Sequence, residues 1–361
     1  MPHARQRGFS LIELLVVIFV IIVIVSITIP ALAAARKAAR KAETQAMLTT
    51  LSQTVVQYEV DQKRTPGYFS PREMGLEENV TRGFSGMQNM MLDLMGGVVA
   101  QTTPTTGTVV EVGPARDSIV RIDTALIGAP TGTNKLYYTP GRRAMAMQDG
   151  TEVGTRNGAD EHKYPELVDA FGTPVLAWVL DPTAKKQVEV PQDFAQLWSD
   201  ASNGGGAGRF YWASNAAFLT AGNRVGKRGV DQGSVSMLGS GVTQPELRRR
   251  AMTGLLGNPS SGLNVGTSPT TKDGMLKIMP DAARGSVVLH SAGEDGAYLP
   301  RQTGGSPNVK DNGTGQCTLE GNFTVLDFGL NFRQPDGAIL TNSTDAAKKF
   351  NDIIQATSSG S

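Results

Sequence analysis

An acidic side chain, Glu13, lies inside an almost unbroken apolar run that extends from Phe9 to Ile29. A carboxylate in a membrane helix costs about 2.5 to 3.5 kcal/mol, if Glu behaves like Asp. The run contains seventeen Phe, Leu, Ile and Val residues. Each of these contributes about −0.3 to −0.6 kcal/mol, so the segment inserts despite Glu13. An ionisable group at membrane depth is a functional candidate that needs a partner of opposite charge.

The apolar run is long enough to cross a membrane. About twenty residues at a rise of about 1.5 Å cover the hydrocarbon core of roughly 30 Å. The run exceeds the roughly 7 to 15 apolar residues of a secretory signal, although Ala31-Leu32-Ala33 resembles a signal-peptidase site. Two interpretations stay open at this point: a membrane-inserted protein, and a secreted protein that is cut after Ala33.

The segment GFSLIELLVV, residues 8–17, resembles the N-terminal motif of type IV pilins and type II secretion pseudopilins. In that family a membrane peptidase, the prepilin peptidase, cuts after the glycine and the new N-terminal Phe is methylated. The resemblance therefore implies processing between Gly8 and Phe9. Glu13 becomes the fifth mature residue and Pro30 the twenty-second, and both are positions that the family shares. Pro30 would weaken or kink the long helix, because it lacks an N–H and its ring clashes with the preceding turn.

The same resemblance implies a location and a set of partners. The protein would cross the bacterial inner membrane once, with a cytoplasmic N-terminus and a periplasmic or extracellular head. Its partners would be the prepilin peptidase, like subunits in a homo-oligomeric filament, a platform protein, an assembly ATPase and membrane lipid. One feature conflicts with this orientation: the positive-inside rule alone predicts the reverse, because more basic residues follow the span than precede it, namely Arg36, Lys37, Arg40 and Lys41.

Two later segments extend the resemblance to major pseudopilins. Residues 169–174, DAFGTP, are similar to an Asp-x-aromatic-Gly-x-Pro turn, and residues 291–296, SAGEDG, resemble a later Ser-x-Gly-x-Asp-Gly loop. The resembling proteins hold calcium at this loop, which would assign oxygen ligands to Glu294, Asp295, Asp311 and Asn312. An ordinary Asp-Gly turn at Asp295 explains the loop without a metal, and the spacer before Asp311 is longer than in the family. We expect no other cofactor.

The remaining residues with potential chemistry favour structural roles. His3, His162 and His290 are scattered, and no Gly-x-Ser-x-Gly nucleophile elbow occurs. Four methionines at spacings of three and four predict a helix stripe in the core: Met87, Met90, Met91 and Met95. Three consecutive arginines predict a solvated helix face: Arg248, Arg249 and Arg250. We therefore expect no enzymatic activity. The formal net charge of +1 does not indicate a nucleic-acid partner.

The chain divides into a leader at residues 1–8, a long helix at residues 9–63 and a head at residues 64–361. The spanning part of the helix is residues 9–29. From Ala31 to Lys63 the sequence has no Gly or Pro, which favours continued helix. An apolar stripe recurs at steps of four, four and three and should pack on the head: Met47, Leu51, Val55 and Tyr58. Pro66 and Gly67 should end the helix.

The head shows β-rich runs, helical patterns and Gly-rich or Ser-rich loops. Strands are predicted at residues 108–112, 135–139, 175–180, 210–213, 286–290 and 323–328, and helices at residues 86–95, 244–256 and 345–355. Loops are predicted at residues 202–208, 257–271 and 304–315. We therefore expect an α+β, type IV pilin-like fold, in which the long helix packs on an antiparallel β-sheet with large loop insertions. The single cysteine, Cys317, excludes an intramolecular disulfide and should be a small apolar core residue.

Three functions compete. The leading hypothesis is a structural subunit of a type IV pilus or a type II secretion pseudopilus. The alternative is a minor pilin or tip adhesin whose head binds a surface, DNA or a secreted substrate. An exported enzyme would require a catalytic constellation that the sequence does not display.

Overall fold

The computed structural model describes residues 11–104, 107–129, 135–141, 143–146, 164–184, 188, 191–196, 198–199, 208–215, 255–259, 280–295, 298, 308–311, 317–320, 325–328 and 352–357. The chain forms two compact units, Met1–Glu43 and Thr44–Ser361.

The first helix, α1, runs from Leu11 to Gln62 and has Pro30 in its interior. Its apolar and alanine-rich sequence contains no glycine, which favours one continuous helix. The hydroxyl groups of Ser26 and Thr28 donate to the backbone carbonyls of Val23 and Val25 at 2.8 and 3.3 Å. These bonds give both hydroxyls an acceptor within the apolar segment. The predicted helix is therefore confirmed to within two residues at its described ends.

The helix ends where the sequence predicts. Lys63 adopts a left-handed conformation with φ of 57° and donates its N–H to the carbonyl of Glu59. Beyond this point Asp93 accepts two hydrogen bonds from the guanidinium group of Arg64, at 2.6 and 2.9 Å, and one from the amide of Gly67 at 2.7 Å. These three bonds fix the chain as it leaves the helix.

The second unit is built on the C-terminal part of α1. Leu48, Leu51, Val55 and Tyr58 are buried there, and Met47 is partly buried against the same core. Burial of a Leu or Val side chain stabilises a fold by about 1.5 to 3 kcal/mol. The predicted apolar stripe is thus confirmed as the packing face of this part of the helix.

Three short helices follow: α2 at Pro71–Met74, α3 at Glu77–Arg82 and α4 at Gly86–Met95. A capping box starts α4, because the Ser85 hydroxyl accepts from the Gln88 amide while the Gln88 side chain accepts from the Ser85 amide. The predicted helix at residues 86–95 is confirmed with these bounds. All four of its methionines are fully buried, so the core packing predicted from their spacing is confirmed.

The strands of the second unit form several small sheets. Their bounds are β1 Val109–Ala115, β2 Ser118–Asp123, β3 Met145–Ala146, β4 Glu166–Leu167, β5 Leu176–Val179, β6 Ala195–Gln196, β7 Phe210–Tyr211, β8 Gly257–Pro259, β9 Pro280–Ala283, β10 Val287–Ser291, β11 Asn308–Asp311, β12 Cys317–Glu320, β13 Val325–Phe328 and β14 Ile353–Ala356. A fifth short helix, α5, spans Pro191–Phe194.

Most of these strands pair in antiparallel fashion. Two sheets have three strands, in the orders β14-β10-β5 and β11-β12-β13. Four further pairs join β1 to β2, β3 to β4, β6 to β7 and β8 to β9, and of these only the β6–β7 pair is parallel. The predicted α+β class is confirmed, with small sheets in place of the single sheet that we expected.

Four local predictions are corrected by the structure. Residues 135–139 are not a strand, because the amides of Tyr137 and Tyr138 both donate to the carbonyl of Leu94 at the end of α4. The predicted helix at residues 345–355 is wrong at residues 353–355, which belong to β14 and pair with β10 as a strand. Two predicted loops contain strands, β8 at Gly257–Pro259 and β11 at Asn308–Asp311. Local composition does not reveal these pairings, because their partners lie elsewhere in the chain.

Other predictions are confirmed or lie outside the described residues. The strands predicted at residues 108–112, 175–180, 286–290 and 323–328 correspond to β1, β5, β10 and β13. The run at residues 210–213 is strand only at Phe210–Tyr211, and a 3-10 helix, Ala213–Asn215, follows it. Most of the predicted helix at residues 244–256, including the three arginines, lies outside the described residues, as does most of the loop at residues 202–208.

Candidate functional site

The N-terminal half of α1 presents an apolar surface that nothing in its own unit covers. All described residues from 11 to 43 are exposed, and the large apolar side chains from Leu11 to Leu32 expose between 41% and 81% of their surface. Among the described residues, α1 is the one helix that is long and apolar enough to cross a membrane. A soluble protein rarely exposes so large an apolar patch, so this surface needs lipid or other apolar helices around it.

Glu13 lies in the first turn of this helix. The unpaired N–H groups of a first turn carry partial positive charge, so they favour an acidic residue there. The processing residues Gly8 and Phe9 lie outside the described residues. Pro30 lies within the helix, as the sequence predicts. The assembly roles of Glu13 and Pro30 stay predictions.

A second candidate site is the turn at Asp169 in the second unit. Oδ1 of Asp169 accepts hydrogen bonds from the amides of Phe171 and Thr173 at 2.8 and 2.9 Å. The amide of Asp169 donates to the carbonyl of Thr173 at 2.8 Å, which closes the turn. Gly172 has φ of 87°, a conformation that glycine adopts without strain. The sequence DAFGTP therefore folds as a tight Asx-type turn.

The Asp169 turn contacts the second segment that resembles the pseudopilins. The Ser291 hydroxyl donates to Oδ2 of Asp169 at 2.6 Å, and it accepts from the amide of Gly293 at 3.1 Å. The amide of Ala170 donates to the hydroxyl of Thr44 in the C-terminal part of α1 at 3.2 Å. One carboxylate thus ties together the turn, the end of β10 and, through the turn, the helix.

Burial raises the pKa of Asp169, and the hydrogen bonds from Ser291 and the turn amides oppose that rise. The Ser291 hydroxyl is buried and donates a hydrogen bond to the Asp169 carboxylate, which also accepts hydrogen bonds from two amides. This arrangement holds two loops together and presents no accessible nucleophile. The sequence identified both segments, but not the contact between Asp169 and Ser291.

His290 has a structural role, as the sequence predicts. Its Nε2 lies 2.5 Å from Oδ2 of Asp352, and both side chains are fully buried. Burial lowers the pKa of His290 to about 3, so the imidazole is neutral at physiological pH. The ring also packs edge-on against Tyr298. His3 and His162 lie outside the described residues.

The structure leaves the calcium prediction untested. Glu294 is exposed in a short 3-10 helix, Gly293–Asp295, whereas Asp311 ends β11 in another sheet. Asn312 and the side chains of Asp295 and Asp311 lie outside the described residues. Within the part of the chain that the structure describes, no group of three or more His, Cys, Asp or Glu could hold a metal ion.

The second unit also contains a cleft that the sequence did not predict. Its volume is about 720 Å³, and its lining includes Tyr68, Phe69, Met74, Val179 and Tyr211. Tyr68, one of the lining residues, is 47% exposed. The lining also includes charged side chains, those of Lys63, Arg64 and Glu73. A cleft of this volume, with both apolar and charged walls, can accept a small molecule or a side chain of a partner protein. Its walls come from segments far apart in sequence, so local patterns could not reveal it.

Comparison with known proteins identifies the N-terminal segment. Residues 3–29 match a family model described as the prokaryotic N-terminal methylation motif. No curated protein and no solved structure matches the chain. The matched motif and the long apolar helix together are consistent with a type IV pilin-like protein. The motif implies processing by prepilin peptidase and assembly with other pilins, and its family is structural in function.

Proposed function

We propose that the protein is a structural subunit of a type IV pilus or of a type II secretion pseudopilus. The observation that carries the proposal is the methylation motif at residues 3–29, which overlaps the exposed apolar part of α1 from Leu11 onward. The apolar surface of such a helix is stable in two successive environments, in lipid before assembly and among identical helices afterwards. The heads then form the surface of the filament.

The proposed life cycle begins with a membrane-inserted precursor whose N-terminus is cytoplasmic. Prepilin peptidase cuts between Gly8 and Phe9, and the new terminal amine is methylated. An assembly ATPase and a platform protein then extract the subunit from the inner membrane and add it to the filament base. The chain itself carries out no chemical reaction in this cycle.

Glu13 sets the position of each new subunit in the proposed filament. Four residues at a rise of about 1.5 Å separate Glu13 from the terminal amine by about 6 Å along one rigid helix. We assign the pairing to the amine of a neighbouring subunit, because only a pair between subunits relates their positions. A charge pair in a low-dielectric helix bundle is attracted far more strongly than in water. Pairing would fix the axial offset between neighbouring subunits.

The mature N-terminus tests the proposed processing. N-terminal sequencing of the membrane-bound protein should begin at Phe9, and Gly8→Arg should leave the precursor uncut. Ser10→Ala is a matched control, because it changes the neighbouring residue and leaves the glycine in place; it should be cut normally. A mature chain that begins at Ala34 would contradict the proposal and would favour the secreted protein that is cut after Ala33.

A second candidate function is that of a minor pilin or tip adhesin. The cleft beside Tyr68 favours it, because a binding head needs a concave surface with exposed aromatic groups. A surface, DNA or a secreted substrate would then be the partner. Label found only at filament tips would distinguish this function from that of a shaft subunit.

A further inference from the structure

Four cations lie on one face of α1 directly after the apolar segment. We call them the basic face: Arg36, Lys37, Arg40 and Lys41. All four are exposed in the structure. At 3.6 residues per turn, this spacing places them within an arc of about 140° around the helix. Between Ile29 and the exposed Glu43 the sequence contains no acidic residue, so the local charge is strongly positive.

The basic face begins just beyond the layer of lipid headgroups when the apolar segment spans the membrane. At a rise of about 1.5 Å per residue, Arg36 is about 10 Å beyond Ile29 and Lys41 about 18 Å beyond it. The interfacial layer of a bilayer extends roughly 5 to 8 Å from the hydrocarbon core. Long Lys and Arg side chains reach back toward the bilayer, so the charged groups of Arg36 and Lys37 come close to the level of the phosphates. Arg40 and Lys41, about one turn further along the helix, add to the positive charge beside that layer.

The placement of these charges also needs an explanation. Basic residues normally collect on the cytoplasmic side of a span, and this cluster lies at the opposite end from the processed N-terminus. Anionic headgroups on the same side attract each nearby Lys or Arg. The planar guanidinium groups of the two arginines can also donate paired hydrogen bonds to a phosphate.

We propose that the basic face binds the headgroups of anionic phospholipids in the leaflet at the C-terminal end of the span. The bound lipid would be of the phosphatidylglycerol type, with one net negative charge and an accessible phosphate. It would hold the helix at a fixed depth before assembly. The proposal depends on insertion of the apolar segment into a membrane and does not depend on a role in filaments.

Selective retention of lipid by the full-length protein tests this proposal. The protein is immobilised in dodecyl maltoside micelles that contain equal trace amounts of fluorescent phosphatidylglycerol and phosphatidylcholine. The retained lipids are then extracted and their ratio is measured. Wild type should retain a several-fold excess of phosphatidylglycerol, and high salt should reduce it, because salt screens exposed charges.

A matched pair of variants distinguishes the effect of the basic face on lipid retention from the effect of the protein's total charge. The first variant replaces all four residues of the basic face with Gln and should lose the excess of phosphatidylglycerol. The control replaces four exposed cations of the second unit with Gln and should keep it: Lys63, Arg72, Arg116 and Arg143. Resistance to carbonate extraction from membranes confirms that both variants remain inserted.

Two outcomes would overturn the proposal. The first is equal retention of both lipids by wild type; if the variant of the basic face then also loses filaments, the basic face contacts another subunit instead. The second is an unchanged excess of phosphatidylglycerol in the variant of the basic face. A failure to form filaments with lipid selectivity intact would instead contradict the proposed function alone.

Discussion

Glu13 is the residue on which the proposed assembly depends most directly. Glu13→Ala should leave insertion and cleavage intact, because it removes a cost of about 2.5 to 3.5 kcal/mol from the membrane helix. Filament yield should fall strongly, because the amine of a neighbouring Phe9 then has no carboxylate to pair with. The measurement is the amount of sheared filament per amount of mature protein in the membrane.

Two further variants of Glu13 separate charge from shape. Glu13→Gln keeps the size of the side chain and should fail like Glu13→Ala, whereas Glu13→Asp keeps the charge and should retain part of the yield. Abundant Glu13→Ala filaments with unchanged helical spacing would refute the assigned role.

Asp169 should be a major contributor to the stability of the second unit. Asp169→Ala leaves the hydroxyl of Ser291 and two turn amides without their acceptor. Hydrogen bonds to charged groups contribute about 1.5 to 3 kcal/mol each, so a loss of about 3 kcal/mol is expected. Thermal unfolding in detergent, followed by tryptophan fluorescence, to which the buried Trp178 and Trp212 contribute, measures it. Thr50→Ala, at an exposed hydroxyl on α1, is the control and should change stability by less than about 0.5 kcal/mol.

His290 should make the second unit less stable in acid. Burial lowers the pKa of His290 to about 3 in the folded state, whereas its pKa in the unfolded chain is about 6.5. The unfolded state therefore binds the proton first, and stability falls as pH drops from about 6.5 toward 3, by up to about 1.4 kcal/mol per pH unit. Melting temperatures of wild type and His290→Gln at several pH values test this. Parallel curves for the two proteins would contradict the prediction.

At the scale of elements, the start of α4 against β5 requires a glycine. A Cβ at Gly86 would lie 2.3 Å from the carbonyl oxygen of Ala177, so Gly86→Ala should destabilise the second unit by about 1 to 3 kcal/mol. Gly107→Ala is a matched control, since no atom lies within 4 Å of its added Cβ. Equal melting temperatures for the two variants would show that α4 and β5 do not pack this closely.

The sequence predicted those elements whose signals are local. The helix α4 agrees with its predicted bounds, because the methionine spacing gives its period in the sequence itself. The structure adds the capping box of Ser85 and Gln88, which the sequence analysis did not use. The strand β14 was predicted as helix, because only its pairing with β10 makes it a strand. Propensity cannot anticipate a partner that lies elsewhere in the chain.

The candidate sites likewise include one with a local sequence signal and others that depend on contacts between distant segments. Glu13 was predicted because one carboxylate in an apolar run is visible in the sequence by itself. The contact between Asp169 and Ser291 joins residues that are 122 positions apart, so the motifs were visible but their contact was not. The cleft beside Tyr68 had no sequence signal, because its walls come from distant segments.

At the scale of the whole molecule, the apolar half of α1 limits the environments in which the protein is stable. Its exposed apolar side chains require lipid or neighbouring helices, and the methylation motif implies assembly with other pilins. A filament satisfies both requirements, since it replaces the lipid around each helix with identical helices.

Immunogold electron microscopy of sheared filaments tests the central claim most directly. An antibody to the head is applied to filaments from wild-type cells and from cells that lack the protein. We predict label at regular intervals along the shaft in wild type and none in the deletion strain. Label confined to tips would favour the adhesin function, and filaments without any label, from cells in which the mature protein accumulates, would contradict the claim that this protein is a filament subunit.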